Sequence, residues 1–134
     1  MRIFLDTNVL VSALTARGLC ADLVRAILTD HELLTGETNL VELRRVLRER
    51  FWASTDQLDG VEEWLRQQGV VPKPRRPSPL AIRDLDDRWV LAAAVAAAAD
   101  LLVTGDKDLL DVAGQAPVPI VAPRGCWERL RGHE

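Results

Sequence analysis

Short apolar runs alternate along this chain with longer stretches whose apolar residues recur at helical spacing, and few architectures accept that alternation. Residues 2–5 read as a strand apolar on both faces, followed by a helix over 9–14 that Thr7 or Asn8 can cap. Gly18 breaks it, and Ala21, Val24, Ile27 and Leu28 mark a helical stripe over 20–29. "ELLTG" (32–36) reads as a second strand. A helix over 38–52 follows, capped by Thr38 or Asn39, and another spans 56–68 up to Gly69. Val70 and Val71 form a third short strand, and "PKPRRPSP" (72–79) is a proline-fixed connection. An alanine-rich helix over 87–99, a strand over 101–106, a short helix over 107–112, a strand over 118–123 and a helix over 124–131 complete the chain. Strands separated by helices predict an α/β fold with a mainly parallel sheet, and 134 residues fit one domain over 1–134.

Composition narrows the chemistry. The chain is 48% hydrophobic and 28% charged, enough for a packed core. A net charge of −3 excludes a polybasic protein but leaves local basic patches open. Cys20 and Cys126 lie outside any CxxC pattern, which speaks against zinc and for two idle thiols in a reducing cytoplasm. His31 and His133 are the only histidines, too few for histidine-dependent hydrolysis. "MRIFLD" is no signal peptide. The apolar run over 89–99 falls short of the roughly 20 residues that span a bilayer, so a soluble protein is expected.

The acids occupy telling places. In an open parallel sheet, sites form beyond the carboxyl ends of the strands. Asp6 follows "IFL" and Asp106 follows "LLVTG". Glu42 lies in the first turn of the helix after Gly36, and Asp87 stands at the start of the alanine helix beside Asp86 and Asp84. Each acid has a bland use: Asp6, Asp86, Asp87 and Asp106 suit helix starts, and Glu42 can pair with Arg45. Those uses leave unexplained why all four reach one rim. Carboxylates crowded together repel, and a hard divalent cation such as Mg2+ or Mn2+ relieves the repulsion. The reaction such a centre suits is hydrolysis of a phosphodiester.

"FLDTNVLVSAL", "LVELRRVL", "DLDDRWVLAAA", "LLVTGDKDLL" and "IVAPRGCWERL" occur in this order over nearly the whole chain. Together they resemble the PIN-domain nucleases, in particular the toxin-like VapC branch. The resemblance implies a three-layer α/β/α domain with a mainly parallel four- or five-stranded sheet. It implies Asp6, Glu42, Asp87 and Asp106 as catalytic metal ligands. Counting back from the helix favours Asp87, holds Asp86 in reserve and puts Asp84 about a turn too early. Thr7, Asn8, Thr104, Asp86 and Asp108 are expected to support the ligands from behind.

The same resemblance implies an endoribonuclease in which water attacks phosphorus in line, leaving 5′-phosphate and 3′-hydroxyl ends. It further implies a homodimer and a small antitoxin partner whose C-terminal segment lies across the groove. Arg45 and Arg48, three apart on one helix, are the candidate RNA contacts. Trp64 reads as core, and Trp52 as an exposed ring at a helix end. A haloacid-dehalogenase-like phosphatase wants a second aspartate where Asn8 stands. The remaining alternative is a PIN-fold module that binds RNA or protein without cutting.

Overall fold

The computed structural model describes residues 1–132; His133 lies outside them. Five parallel strands, β1 (Arg2–Leu5), β2 (Glu32–Gly36), β3 (Val70–Val71), β4 (Leu101–Val103) and β5 (Ile120–Val121), form one sheet in the order β3-β2-β1-β4-β5. β1 is central, with Phe4 level with Leu34 on one side and Leu102 on the other. The chain therefore leaves the middle of the sheet in one direction and returns to it in the other. That reversal opens a crevice beyond the carboxyl ends of β1 and β4.

Side-chain alternation makes three layers. Ile3, Leu5, Leu33, Leu101 and Val103 face one core, shared with α1 (Thr7–Thr15), α2 (Leu19–Asp30), α3 (Glu37–Phe51), α4 (Thr55–Gln68) and α7 (Pro123–Gly132). Phe4, Leu34 and Leu102 face the other, closed by α5 (Leu85–Ala96) and α6 (Lys107–Leu110). Strands buried on both faces account for the unbroken apolar runs in the sequence. The expected α/β/α architecture with a five-stranded parallel sheet is thus present.

Several boundaries move, each for a physical reason. α1 starts at Thr7 because Asp6 itself caps it, in place of Thr7 or Asn8. α3 starts at Glu37 behind Gly36, with no side-chain cap, so neither Thr38 nor Asn39 serves. α5 begins at Leu85 because Asp84 caps it, and it ends at Ala96 before Ala98 turns left-handed at φ 54°. β5 shrinks to two residues between Pro119 and Pro123, which lack the N–H a ladder needs. α4 has a full capping box, Ser54 and Gln57 each accepting from the other's backbone N–H. Trp64 packs against the first core, and Trp52 is 86% exposed at the end of α3. Cys126 is buried, Cys20 is half-buried, and both are free thiols. Among the described residues no helix is long and apolar enough to cross a membrane.

Candidate metal centre

Asp6 leaves β1 into the crevice and is 4% exposed. Its carboxylate accepts from four donors. Oδ1 takes the Thr7 backbone N–H at 2.8 Å and Asn39 Nδ2 at 3.0 Å. Oδ2 takes the Thr104 hydroxyl at 2.7 Å and Asn8 Nδ2 at 3.3 Å. Burial raises the Asp6 pKa above its ordinary value. The Thr104 and Thr7 hydrogen bonds oppose the rise, and the charges of Glu42 and Asp106 add to it.

The neighbouring strand delivers the second acid. After β4, the Thr104 hydroxyl accepts the Asp106 backbone N–H at 2.9 Å, and Asn8 Oδ1 accepts the Gly105 N–H at 2.9 Å. Asp106 then caps α6, its Oδ1 accepting from the Asp108 N–H. Thr104 and Asn8 each touch both strand ends, so the two acids are fixed relative to one another.

α5 brings the remaining aspartates. Asp84 caps the helix through the Asp86 N–H, and Asp87 follows one turn on, 6% exposed. Burial is the largest cause pushing the Asp87 pKa up to about 8. The adjoining Asp106 carboxyl and the charges of Asp106, Asp6 and Asp84 reinforce it. Asp87 Oδ2 is buried and, among the described residues, has no hydrogen-bond partner. Ligand atoms of Asp84, Asp87 and Asp108 lie within 4.8 Å of one another.

Glu42 approaches from α3 and stays exposed, with Arg45 Nη2 3.8 Å from its Oε2. Asp6, Glu42, Asp84, Asp86, Asp87 and Asp106 all line one cleft of about 400 Å³. Asp108 stands beside Asp84 and Asp87, and Thr7 and Thr104 lie buried beneath Asp6. Arg45 lines the cleft; among its other lining residues is Arg50, nearer the end of α3, whereas Arg48 is exposed outside it. Arg44 turns away to Asp59 and Glu62 on α4.

Two residues carry more than the sequence reading gave them. Asp84 faces the same cleft as Asp87, since the cap position and the third helical residue point the same way. Asn39, read as a helix cap, is 2% exposed and donates to both Asp6 and Thr7. Its spacing three before Glu42, on one helix face, is the signal that could have revealed it. Gly36 makes room for it: a methyl group there would stand 3.0 Å from Asn39 Oδ1 and 3.3 Å from Phe4 Cζ.

The donor set fits a hard divalent cation. Every candidate ligand is a carboxylate oxygen, and the unpartnered Asp87 oxygen is the kind of buried acceptor such an ion satisfies.

A parallel α/β/α sheet with acids gathered at its carboxyl rim defines the class. The family profile of the PIN domain matches residues 2–108, and the chain belongs to that family. Among solved structures it is similar to VapBC2 from Rickettsia felis, crystallised bound to a DNA fragment from their promoter. The two share 14% identity with a TM-score of 0.63, over 91% of this chain and 98% of that one. It is also similar to a PilT N-terminus domain protein from Sulfolobus solfataricus, at 14% identity and a TM-score of 0.57, over 100% of this chain and 97% of that one. At such identity the likeness is one of fold. No curated protein sequence matches the chain.

Proposed function

We propose that this PIN-domain protein is a metal-dependent endoribonuclease and the toxin of a toxin–antitoxin pair. The observation that carries the reading is the cleft itself. Six carboxylates from four separate chain segments converge there, and the most buried helical one keeps an oxygen without a partner. A purely structural rim has no use for that arrangement, which leaves charge and an acceptor unsatisfied.

In this reading Asp6, Asp87, Asp106 and Glu42 hold Mg2+ or Mn2+, with Asp84 and Asp108 alongside. The bound ion supplies a lowered water pKa and stabilisation of charge developing on the phosphate. The protein's own part is orientation. Asn39, Thr7, Asn8 and Thr104 lock the Asp6 carboxylate, and Thr104 ties its position to Asp106. Arg45 and Arg50 at the rim attract the RNA backbone. In-line attack by water leaves 5′-phosphate and 3′-hydroxyl ends and needs no histidine pair, in keeping with the chain's two histidines. An antitoxin partner is supported by the likeness to VapBC2, and a homodimer is part of the same reading.

Cleavage of a single-stranded RNA panel with Mg2+, Mn2+ or EDTA tests the activity. Wild type should cut only with metal, and Asp6→Ala and Asp87→Asn should lose at least a hundredfold in rate. Equal cutting by the variants would end the nuclease reading. RNA binding without any cutting would favour the non-cleaving module.

A further inference from the structure

A second depression, of about 370 Å³, adjoins the acidic cleft. Val41, Glu42, Arg45, Lys73, Asp86 and Trp89 line it, and Glu42, Arg45 and Asp86 also line the cleft. The two therefore form one continuous groove. Trp89 sits three residues after Asp86 on α5, and Arg45 three after Glu42 on α3, so each wall steps about one helical turn away from the acids. Lys73 comes from the proline-rich connection, between Pro72 and Pro74. Its ammonium stands 4.4 Å from the centre of the Trp89 ring. Among the described residues Lys73 joins no ion pair. Trp89 is half-buried and Val41 is 70% exposed.

This is a flat aromatic face with a cation free of any carboxylate, one turn from the place where a phosphodiester would be held. We propose that the depression is a nucleotide subsite beside the scissile phosphate. The Trp89 ring takes an unpaired base, and Lys73 shifts from the ring to that nucleotide's phosphate. The inference rests on the nuclease reading above and adds one recognition element: a stackable, unpaired base beside the phosphate that is cut. Stacking on an aromatic ring is worth more than a surface cation–π contact, so a base can displace the lysine. It also tolerates any base, so the subsite favours unpaired over paired RNA without reading sequence.

The test uses the full chain carrying Asp6→Asn, with Mg2+ present, and two labelled oligomers of equal charge. One is an oligouridylate; the other is its abasic ribose-phosphate counterpart. The base-bearing oligomer should bind about tenfold tighter. Trp89→Leu should abolish that difference, Trp89→Phe should keep most of it, and Lys73→Gln should weaken both oligomers alike. Quenching of indole emission by the base-bearing oligomer alone, in protein carrying Trp52→Phe, Trp64→Phe and Trp127→Phe so that Trp89 is the one indole left of the four, gives the same answer if Trp89→Leu fails to fold. Equal affinity and equal quenching for the two oligomers would overturn the subsite and leave the depression to another occupant, such as a partner protein segment. Metal-dependent cutting by the wild type judges the nuclease reading separately.

Discussion

The Thr104 hydroxyl donates to Asp6 Oδ2 at 2.7 Å while it accepts the Asp106 backbone N–H at 2.9 Å. One buried oxygen thus joins the ends of β1 and β4. Thr104→Val keeps the shape and removes both bonds, leaving a buried carboxylate and an N–H short of a partner. We expect a stability loss of about 1–3 kcal/mol and about a 10–100-fold loss in metal affinity. Thr104→Ser should recover most of both. Chemical denaturation and calorimetric Mn2+ titration check this, and unchanged affinity in Thr104→Val would remove the tethering role.

Asp87 makes metal-free stability depend on pH in a fixed direction. Its folded pKa is near 8, against an ordinary value of 3.8. Between those values the folded protein holds a proton that the unfolded chain has released, so stability falls as pH rises. The contribution is full below about 3.8 and gone above about 8. In EDTA, the unfolding temperature should fall steadily from pH 5 to pH 8, and Asp87→Asn should flatten the slope. A wild-type curve that rises over this range would contradict the burial of Asp87 in its protonated form.

Metal should act against that slope. An ion binds the ionised carboxylates, so its uptake displaces the Asp87 proton and strengthens with pH. Saturating Mn2+ should raise the unfolding temperature more at pH 8 than at pH 5, by linkage to the folded state. Asp87→Asn should lose most of the increment. A metal increment independent of pH would mean that the ion sits away from Asp87.

Gly36→Ala tests the room left for Asn39. The added methyl would stand 3.0 Å from Asn39 Oδ1 and 3.3 Å from Phe4 Cζ. Asn39 must shift, and Asp6 then loses a donor at Oδ1. We expect about a tenfold drop in cleavage rate with only a few degrees lost in unfolding temperature. A stability loss with full activity would place the strain in the core at Phe4 instead.

The sequence disclosed what local pattern carries. Strand runs apolar on both faces announced a parallel sheet, and acids placed at strand ends announced Asp6 and Asp106 at its rim. Cap choice was less legible. Asp84, Asp86 and Asp87 are chemically interchangeable as helix starters, and only packing decides that Asp84 caps α5. Asn39 was harder to read for another reason: its spacing from Glu42 is a local sign, but its partners Asp6 and Thr7 lie more than thirty residues upstream. The poly-alanine stretch gives no marker for its own end: α5 stops where Ala98 turns left-handed and where the distant Arg2 guanidinium donates to the Ala97 carbonyl.

β1 finds its partners at residues 32–34 and 101–103, so nothing at the rim exists until most of the chain has come together. Pairings so distant in sequence are slow to form. A nascent chain that stops before Asp106 carries Asp6 and Glu42 but has no rim on which to use them.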